Sequence, residues 1–210
     1  MAKKSIRRGV FVTFEGVEGC GKSTQSKLLY DSLKKRKIRC IYTREPGGTG
    51  LGEKIRDIIL HSKGLAISDL SELFLFEAAR SQIVKEIISP ALKAGKVVIC
   101  DRFSDATFSY QGYGGRIGLG IIKTLDRIAT GGLKPDLTIL LDVETITGLK
   151  RARLKGIDRM ELKDVAYHKR VRAGYLDLAR RYCGRIKVIK VTGTIEETAR
   201  VVTQEVKRVV

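Results

Sequence analysis

Gly21-Lys22-Ser23 holds the residues whose types and spacing speak most directly to chemistry. With Gly16 they complete the pattern Gly-x-x-x-x-Gly-Lys-Ser/Thr. A chain segment of this kind, Gly16-Val17-Glu18-Gly19-Cys20-Gly21-Lys22-Ser23-Thr24, is built to wrap a polyphosphate. Glycines allow the backbone to curl so that successive N–H groups face phosphate oxygens, and the positive end of the following helix adds to them. Lys22 would reach the β- and γ-phosphates, and the Ser23 hydroxyl would serve as a hard oxygen ligand for Mg²⁺. A triphosphate with its Mg²⁺ is the ligand this loop leads us to expect.

Other reactive residue types recur at the ends of apolar runs. Lys96-Val97-Val98-Ile99-Cys100-Asp101-Arg102 ends in a carboxylate that can orient Mg²⁺ and its waters, and in an arginine that can clamp a phosphate through two nitrogens. Leu137-Thr138-Ile139-Leu140-Leu141-Asp142 has the same form, but Asp142 precedes a helix and is expected to cap it. Arg44 follows Ile38-Arg39-Cys40-Ile41-Tyr42-Thr43 and precedes Glu45-Pro46-Gly47-Gly48, a turn that stops regular structure. Phe76 and Arg80 stand four apart and share a helix face, so an aromatic ring and a planar cation could meet one flat ligand. Tyr110-Gln111-Gly112 offers polar groups for a ring or a sugar. Five basic residues, Lys150, Arg151, Arg153, Lys155 and Arg159, surround Gly156 between two helices, which predicts a mobile lid that closes on triphosphate.

These residues need a scaffold that brings them to one place. Apolar β-branched runs alternate with helical periodicity along the whole chain, which predicts an α/β fold with a five-stranded parallel sheet and helices on both faces. Leu28, Leu29 and Leu33 mark the first helix. Ile55, Ile58 and Ile59 mark a second, from Gly52 to Leu60. A longer helix starts at Ser68 or Asp69, with Leu70, Leu73, Phe74, Ile83, Val84, Ile87 and Ile88 expected on its core face. Further helices are expected from Gly118 to Thr130, up to Tyr182, and from Thr194 onward, with a last strand at Ile186–Val191. Right-handed crossovers then line up Glu15, Arg44, Asp101 and Asp142 on one rim.

The 210 residues are 43% hydrophobic, the size of one domain with a real core. We expect residues 1–9 to be a disordered basic leader and 10–210 to form a single domain with its lid near 150–161. The leader precedes only a short apolar strand, too short for a signal sequence or a membrane span. Cysteines at 20, 40, 100 and 183 have neither zinc spacing nor that of a disulfide framework, which fits reduced thiols in the cytoplasm. Lys and Arg number 41 against 23 Asp and Glu, a net charge of +18. That balance favours anionic partners, yet no helix-turn-helix, zinc-finger or aromatic RNA-binding signature accompanies it, so we expect solvated charge rather than a nucleic-acid partner.

From Phe11 to the final helix the chain resembles the bacterial thymidylate kinases. The resemblance rests on Phe14-Glu15-Gly16-x-Glu18-Gly19-x-Gly21-Lys22-Ser23, Thr43-Arg44-Glu45-Pro46-Gly47-Gly48-Thr49, Ala79-Arg80, Asp101-Arg102-Phe103, Tyr110-Gln111-Gly112, Pro135-Asp136-Leu137-Thr138 and Lys150-Arg151-Ala152-Arg153. It implies a P-loop NTPase-like three-layer fold, Mg²⁺-dependent transfer of the ATP γ-phosphoryl group to dTMP, and a homodimer packed through helices. By the resemblance Phe76 stacks on thymine, Arg80 bonds its O4 edge and Thr107 meets its N3 side. Tyr110 lies under the deoxyribose and excludes a 2′-hydroxyl. Arg44 and Arg102 hold the acceptor phosphate, Glu18 contacts the sugar or orients those arginines, and Pro46 and Gln111 complete the dTMP site. Lys22, Arg102, Arg153 and Arg159 are the expected catalytic residues, and Ser23 and Asp101 the metal ligands. Ala106 departs from the pattern where relatives carry Ser, and Lys155 where they carry Arg. Arg and Lys are not equivalent for bridging two phosphate oxygens, so among Arg151, Arg153, Lys155 and Arg159 we expect Arg153 first at the γ-phosphate, Arg159 second, and Lys155 as a compensating charge.

Overall fold

Five short strands form the centre of the fold: β1 (Phe11–Glu15), β2 (Cys40–Arg44), β3 (Val97–Asp101), β4 (Leu137–Asp142) and β5 (Ile186–Lys190); β1, β3 and β4 are buried almost throughout, while the edge strands β2 and β5 are only partly covered. They lie parallel in the order β2-β3-β1-β4-β5 in the computed structural model of the chain, which describes residues 9–62, 64–154 and 159–210. Phe14 pairs with Asp101 across β1 and β3, and Arg44 pairs with Asp101 across β2 and β3. The register therefore sets Arg44 beside Asp101, with Glu15 one residue past the Phe14 that Asp101 faces, at the carboxyl rim where open α/β sheets bind ligands. Phe11, Val12, Phe14, Ile99, Ile139 and Leu141 are completely buried. Each such side chain contributes roughly 1.5–3 kcal/mol by leaving water, enough in sum to hold the rim residues on a rigid base.

Helices cover both faces: α1 (Lys22–Lys35), α2 (Gly50–His61), α3 (Asp69–Ile83), α4 (Ser89–Lys93), α5 (Ser104–Thr107), α6 (Leu119–Thr130), α7 (Thr145–Arg153), α8 (Val165–Arg181) and α9 (Ile195–Val206). Their starts follow local chemistry. Thr49 caps α2 by accepting from Gly52 N, and Ser68 caps α3 by accepting from Ser71 N. Thr194 and Glu197 form a reciprocal capping box on α9, and Gly131 ends α6 in the left-handed region. The segment after β3, rich in Ser, Thr, Tyr and Gly, is helical: α5 runs into a π-helical stretch, Phe108–Gly114, that packs against α8.

The structure corrects several expectations. Leu70 and Phe74 are 47% and 52% exposed, because α3 turns its Leu73, Ala79 and Ile83 face inward. Leu28 is likewise exposed, while Leu29 and Leu33 carry the buried face of α1. Asp142 is not a helix cap: it ends β4 and takes both Nε and Nη2 of Arg172, at 2.7 and 2.9 Å, while Glu144 caps α7. Gly9, expected to belong to the leader, is buried and its N–H donates to Leu92 O, whereas residues 1–8 lie outside the described residues. Lys155 and its neighbours through 158 also lie outside them.

Candidate active site

A cavity of about 590 Å³ opens along the carboxyl rim, within the usual range for small-ligand sites. Glu18, Gly19, Gly21, Lys22, Ser23 and Thr24 form one wall, and Arg44, Pro46, Phe76, Arg80, Thr107, Tyr110 and Gln111 the opposite one, with Asp101 and Arg102 between. Every residue expected to hold the acceptor is thus in one place. Gly16, Val17 and Cys20 support the loop from behind; Val17 and Cys20 are buried in the core.

The loop's shape depends on glycine where backbones meet. Gly19 has φ +66°, and a Cβ there would lie 2.0 Å from Gly148 O. Gly148 in turn sits so close that its own Cβ would be 2.4 Å from Glu18 O. The first turn of α7 is therefore pressed against the phosphate loop, a contact between two distant glycines. Lys22 Nζ donates to Gly16 O at 3.0 Å and Val17 O at 2.9 Å, folding the lysine back over the loop. Ser23 donates its hydroxyl proton to Asp101 Oδ2, so the two expected metal ligands are adjacent. Among the described residues no cluster of three or more His, Cys, Asp or Glu could hold a metal ion. A hydroxyl and one carboxylate suit Mg²⁺, which keeps waters and borrows phosphate oxygens instead of demanding an all-protein cage.

Arg102 occupies the centre. Its φ of +71° is a left-handed conformation uncommon outside glycine, and such strain persists only where surroundings over-determine it. Here Nη2 donates to Glu18 Oε1 at 2.6 Å and to the Tyr110 hydroxyl at 3.1 Å, and Nη1 donates to Gly16 O and the Tyr175 hydroxyl, both at 3.2 Å. The Tyr110 hydroxyl donates to the same Glu18 oxygen at 2.8 Å. Burial alone would raise Glu18, but the charges of Arg102 and Lys22 and the Tyr110 hydroxyl more than offset it and hold the carboxyl down at about 2.

Glu15 behaves oppositely. Burial, with the nearby charge of Asp105, pushes its carboxyl up to about 8, although the Tyr175 hydroxyl and Phe103 N both donate to it at 2.7 Å. Its proton is then retained in the folded chain where an exposed glutamate, at 4.5, would have lost it. The stabilisation from this group is full below 4.5 and is lost as the pH rises through about 8. Glu15→Gln should therefore lose less unfolding free energy than the parent between about pH 5 and about pH 8 in urea titrations. Parallel pH profiles for the two proteins would show instead that Glu15 is ionised throughout.

On the opposite wall Arg80 is 1% exposed. Nε donates to Glu45 Oε2, and Nη1 to Glu77 Oε1 and Thr107 Oγ1, each at 2.8 Å, with Asp126 at 3.6 Å. Three carboxylates thus face one guanidinium, and burial raises all three, Glu45 to about 7. The Glu45–Pro46 peptide is cis. Arg44 pairs with Glu53 at 3.1 Å at the cavity mouth. Arg56, which sequence reasoning missed, lines the cavity and donates to Pro46 O at 3.0 Å. Tyr175 was also missed: nothing local distinguishes it from other core tyrosines of α8.

The expected lid residues separate. Arg153 is exposed at the end of α7, next to Ala152, which lines the cavity. Arg159 turns away from α7: it pairs with Glu72 of α3 and donates through Nε to Ile59 O at 2.7 Å. Met160 and Glu161 line the cavity beside it.

Comparison with known proteins gives the geometry its relatives. The sequence profile of the family described as thymidylate kinase matches residues 14–202. The thymidylate kinase of Geotalea daltonii is 46% identical over 206 residues, covering 94% of this chain and 96% of that protein. That of Geotalea uraniireducens is 47% identical over 205 residues with the same coverage, 94% and 96%. The crystal structure of thymidylate kinase from Ehrlichia chaffeensis superposes with a TM-score of 0.80 at 34% identity, covering 95% of this chain and 99% of that one. A loop for polyphosphate, an arginine-lined wall facing it, and relatives that match over nearly the full length lead to one conclusion: the chain belongs to the thymidylate kinase family.

Proposed function

We propose that this chain transfers the γ-phosphoryl group of ATP to dTMP, giving dTDP and ADP. The observation that carries the reading is the two-sided cavity, with a triphosphate loop on one wall, a base- and sugar-sized pocket on the other, and Arg102 between them. An oxygen of the dTMP phosphate attacks Pγ in line, and the bond from Pγ to the β–γ bridging oxygen breaks as ADP leaves. The acceptor is already an anion, so the residues position and neutralise; none need remove a proton. Lys22 meets the phosphates of ATP, while Arg102 and Arg44 hold the acceptor phosphate and Glu18 fixes Arg102. Phe76 stacks on the base, Arg80 and Thr107 meet its O4 and N3 edge, and Tyr110 fills the space of a 2′-hydroxyl. Ser23 and Asp101 would hold Mg²⁺, which supplies charge neutralisation at the phosphates when bound.

The assembly we favour is a homodimer through α3 and α6, which pack together. Phe74 is 52% exposed on the first, and Ile121 and Ile128 are 53% and 73% exposed on the second. Apolar side chains in that number on neighbouring helices suit an interface between copies. We place the enzyme in the cytoplasm: among the described residues no helix is long and apolar enough to cross a membrane, and all four cysteines are free.

The test is ADP formation across the nucleoside and deoxynucleoside monophosphates, with and without a Mg²⁺ chelator, alongside sedimentation of the protein at two concentrations. We expect turnover with dTMP far above the others, its loss on chelation, and a dimer. Equal turnover with all acceptors would remove the dTMP reading, and a monomer at high concentration would remove the interface.

A further inference from the structure

We infer that Glu72 sets the base selectivity of the acceptor pocket by locking the amide of Gln111 with its oxygen, not its nitrogen, turned toward the bound ring. The inference rests on the dTMP reading proposed above. Gln111 is 3% exposed and lines the cavity, while Glu72, 2% exposed on α3, stands behind it and does not. Gln111 Nε2 donates to Glu72 Oε1 at 2.9 Å. The other oxygen, Oε2, is taken by the Arg159 guanidinium, itself anchored on Ile59 O.

A carboxylate has acceptors only, so the amide beside it can present only its NH₂ group. Reversing the amide would set two buried oxygens against each other with no proton between them. The two arms of a planar amide diverge, so a nitrogen held at Glu72 directs the oxygen away from it, to the side on which Gln111 lines the cavity. Arg80, on the same wall, contributes donors only. Thr107, beside them at the N3 edge, accepts from Arg80 Nη1 and gives its own proton to Glu77, so it can add only a lone pair there. The wall therefore sets acceptors at N3 beside a donor at O4. Thymine and uracil present N3–H and O4, which match. Cytosine presents a bare N3 and an amino group at the 4 position, so it opposes lone pair to lone pair and proton to proton. A site built to pair polar groups rejects the ring that leaves them unpaired far more strongly than one that merely lacks a contact.

The experiment measures kcat/KM for dTMP and for dCMP in the same coupled assay. In Glu72→Gln the residue at 72 can donate as well as accept, so the Gln111 amide is free to take either orientation. The dTMP-to-dCMP ratio should then fall by about tenfold or more. Glu72→Asp keeps an acceptor-only partner and should keep the ratio while absolute rates drop. Arg159→Ala should lower both acceptors alike, and in a Gln111→Ala background Glu72→Gln should not move the ratio further. The unmutated chain offers a variant-free measurement with the 3-deaza analogue of dTMP, which keeps O4 but replaces N3–H by C–H; we expect at least about a tenfold loss in kcat/KM. A ratio unmoved in folded Glu72→Gln, a shift that persists in Gln111→Ala, or full activity with the 3-deaza analogue would overturn the role of Glu72. A parent enzyme that does not prefer dTMP to dCMP at all would instead overturn the acceptor reading beneath it.

Discussion

Lys22→Met should leave a folded protein whose phosphoryl transfer has fallen by roughly two to three orders of magnitude, because a donor aimed at charge that develops in the transition state is worth about 3–4 kcal/mol. The side chain is 6% exposed at the base of the cavity, and its Nζ is within 3.0 Å of two loop carbonyls, so it is already delivered to the phosphate path by the loop it serves. Those two hydrogen bonds also imply a second, smaller effect. Losing them relaxes the loop, so ATP affinity should weaken as well, by less than the fall in kcat. A thermal melt separates global damage from the local loss, and single-turnover rates with saturating ATP give the chemical step. Near-normal turnover would mean that this loop does not carry the reaction.

The parts of this site that were legible in the sequence are those whose chemistry is local. Gly16 through Thr24 could be read because the loop's curl, its donors and its helix all lie within one short stretch. Asp101 and Arg102 could be read because a buried strand seldom ends in charge unless an ion pair or a ligand meets it there. Arg44 could be placed on the rim by the parallel register alone, and it pairs there with Asp101. What escaped depends on partners distant in the chain. Tyr175 donates to Glu15 across 160 positions, Gln111 to Glu72 across 39, and Gly19 meets Gly148 only once α7 docks on the loop. Leu70 and Phe74 misled because helical spacing identifies apolar positions without saying which of them the fold covers. Asp142 misled because a carboxylate before a helix is usually a cap; here Arg172, one helix further on, outcompetes the local N–H groups through a two-nitrogen pair.

Arg153→Ala should lower kcat by about 10³, the scale of a lost arginine that neutralises a transferring phosphoryl group, and Arg153→Lys by at least about tenfold. The sequence already ranks Arg153 ahead of Arg159, and the fold adds a separate reason for that order. α7 is pinned at its start, where Glu144 accepts from Thr147 N at 2.9 Å and Gly148 abuts the phosphate loop. A rigid helix held there delivers its last turn, Ala152 and Arg153, over the same loop, and Ala152 does line the cavity. Arg159 is committed elsewhere, to Glu72 and Ile59 O. A guanidinium that reaches the γ-phosphate chiefly as charge spreads over it contributes to the transition state more than to ATP binding, so the ATP KM should rise much less than kcat falls. Steady-state kinetics on Arg153→Ala, Arg153→Lys, Lys155→Ala and Arg159→Ala in parallel decides the matter. Intact kcat in Arg153→Lys together with its abolition in Lys155→Ala or Arg159→Ala would move the catalytic charge to that residue, and for Arg159 would mean that its contact with Glu72 breaks during turnover.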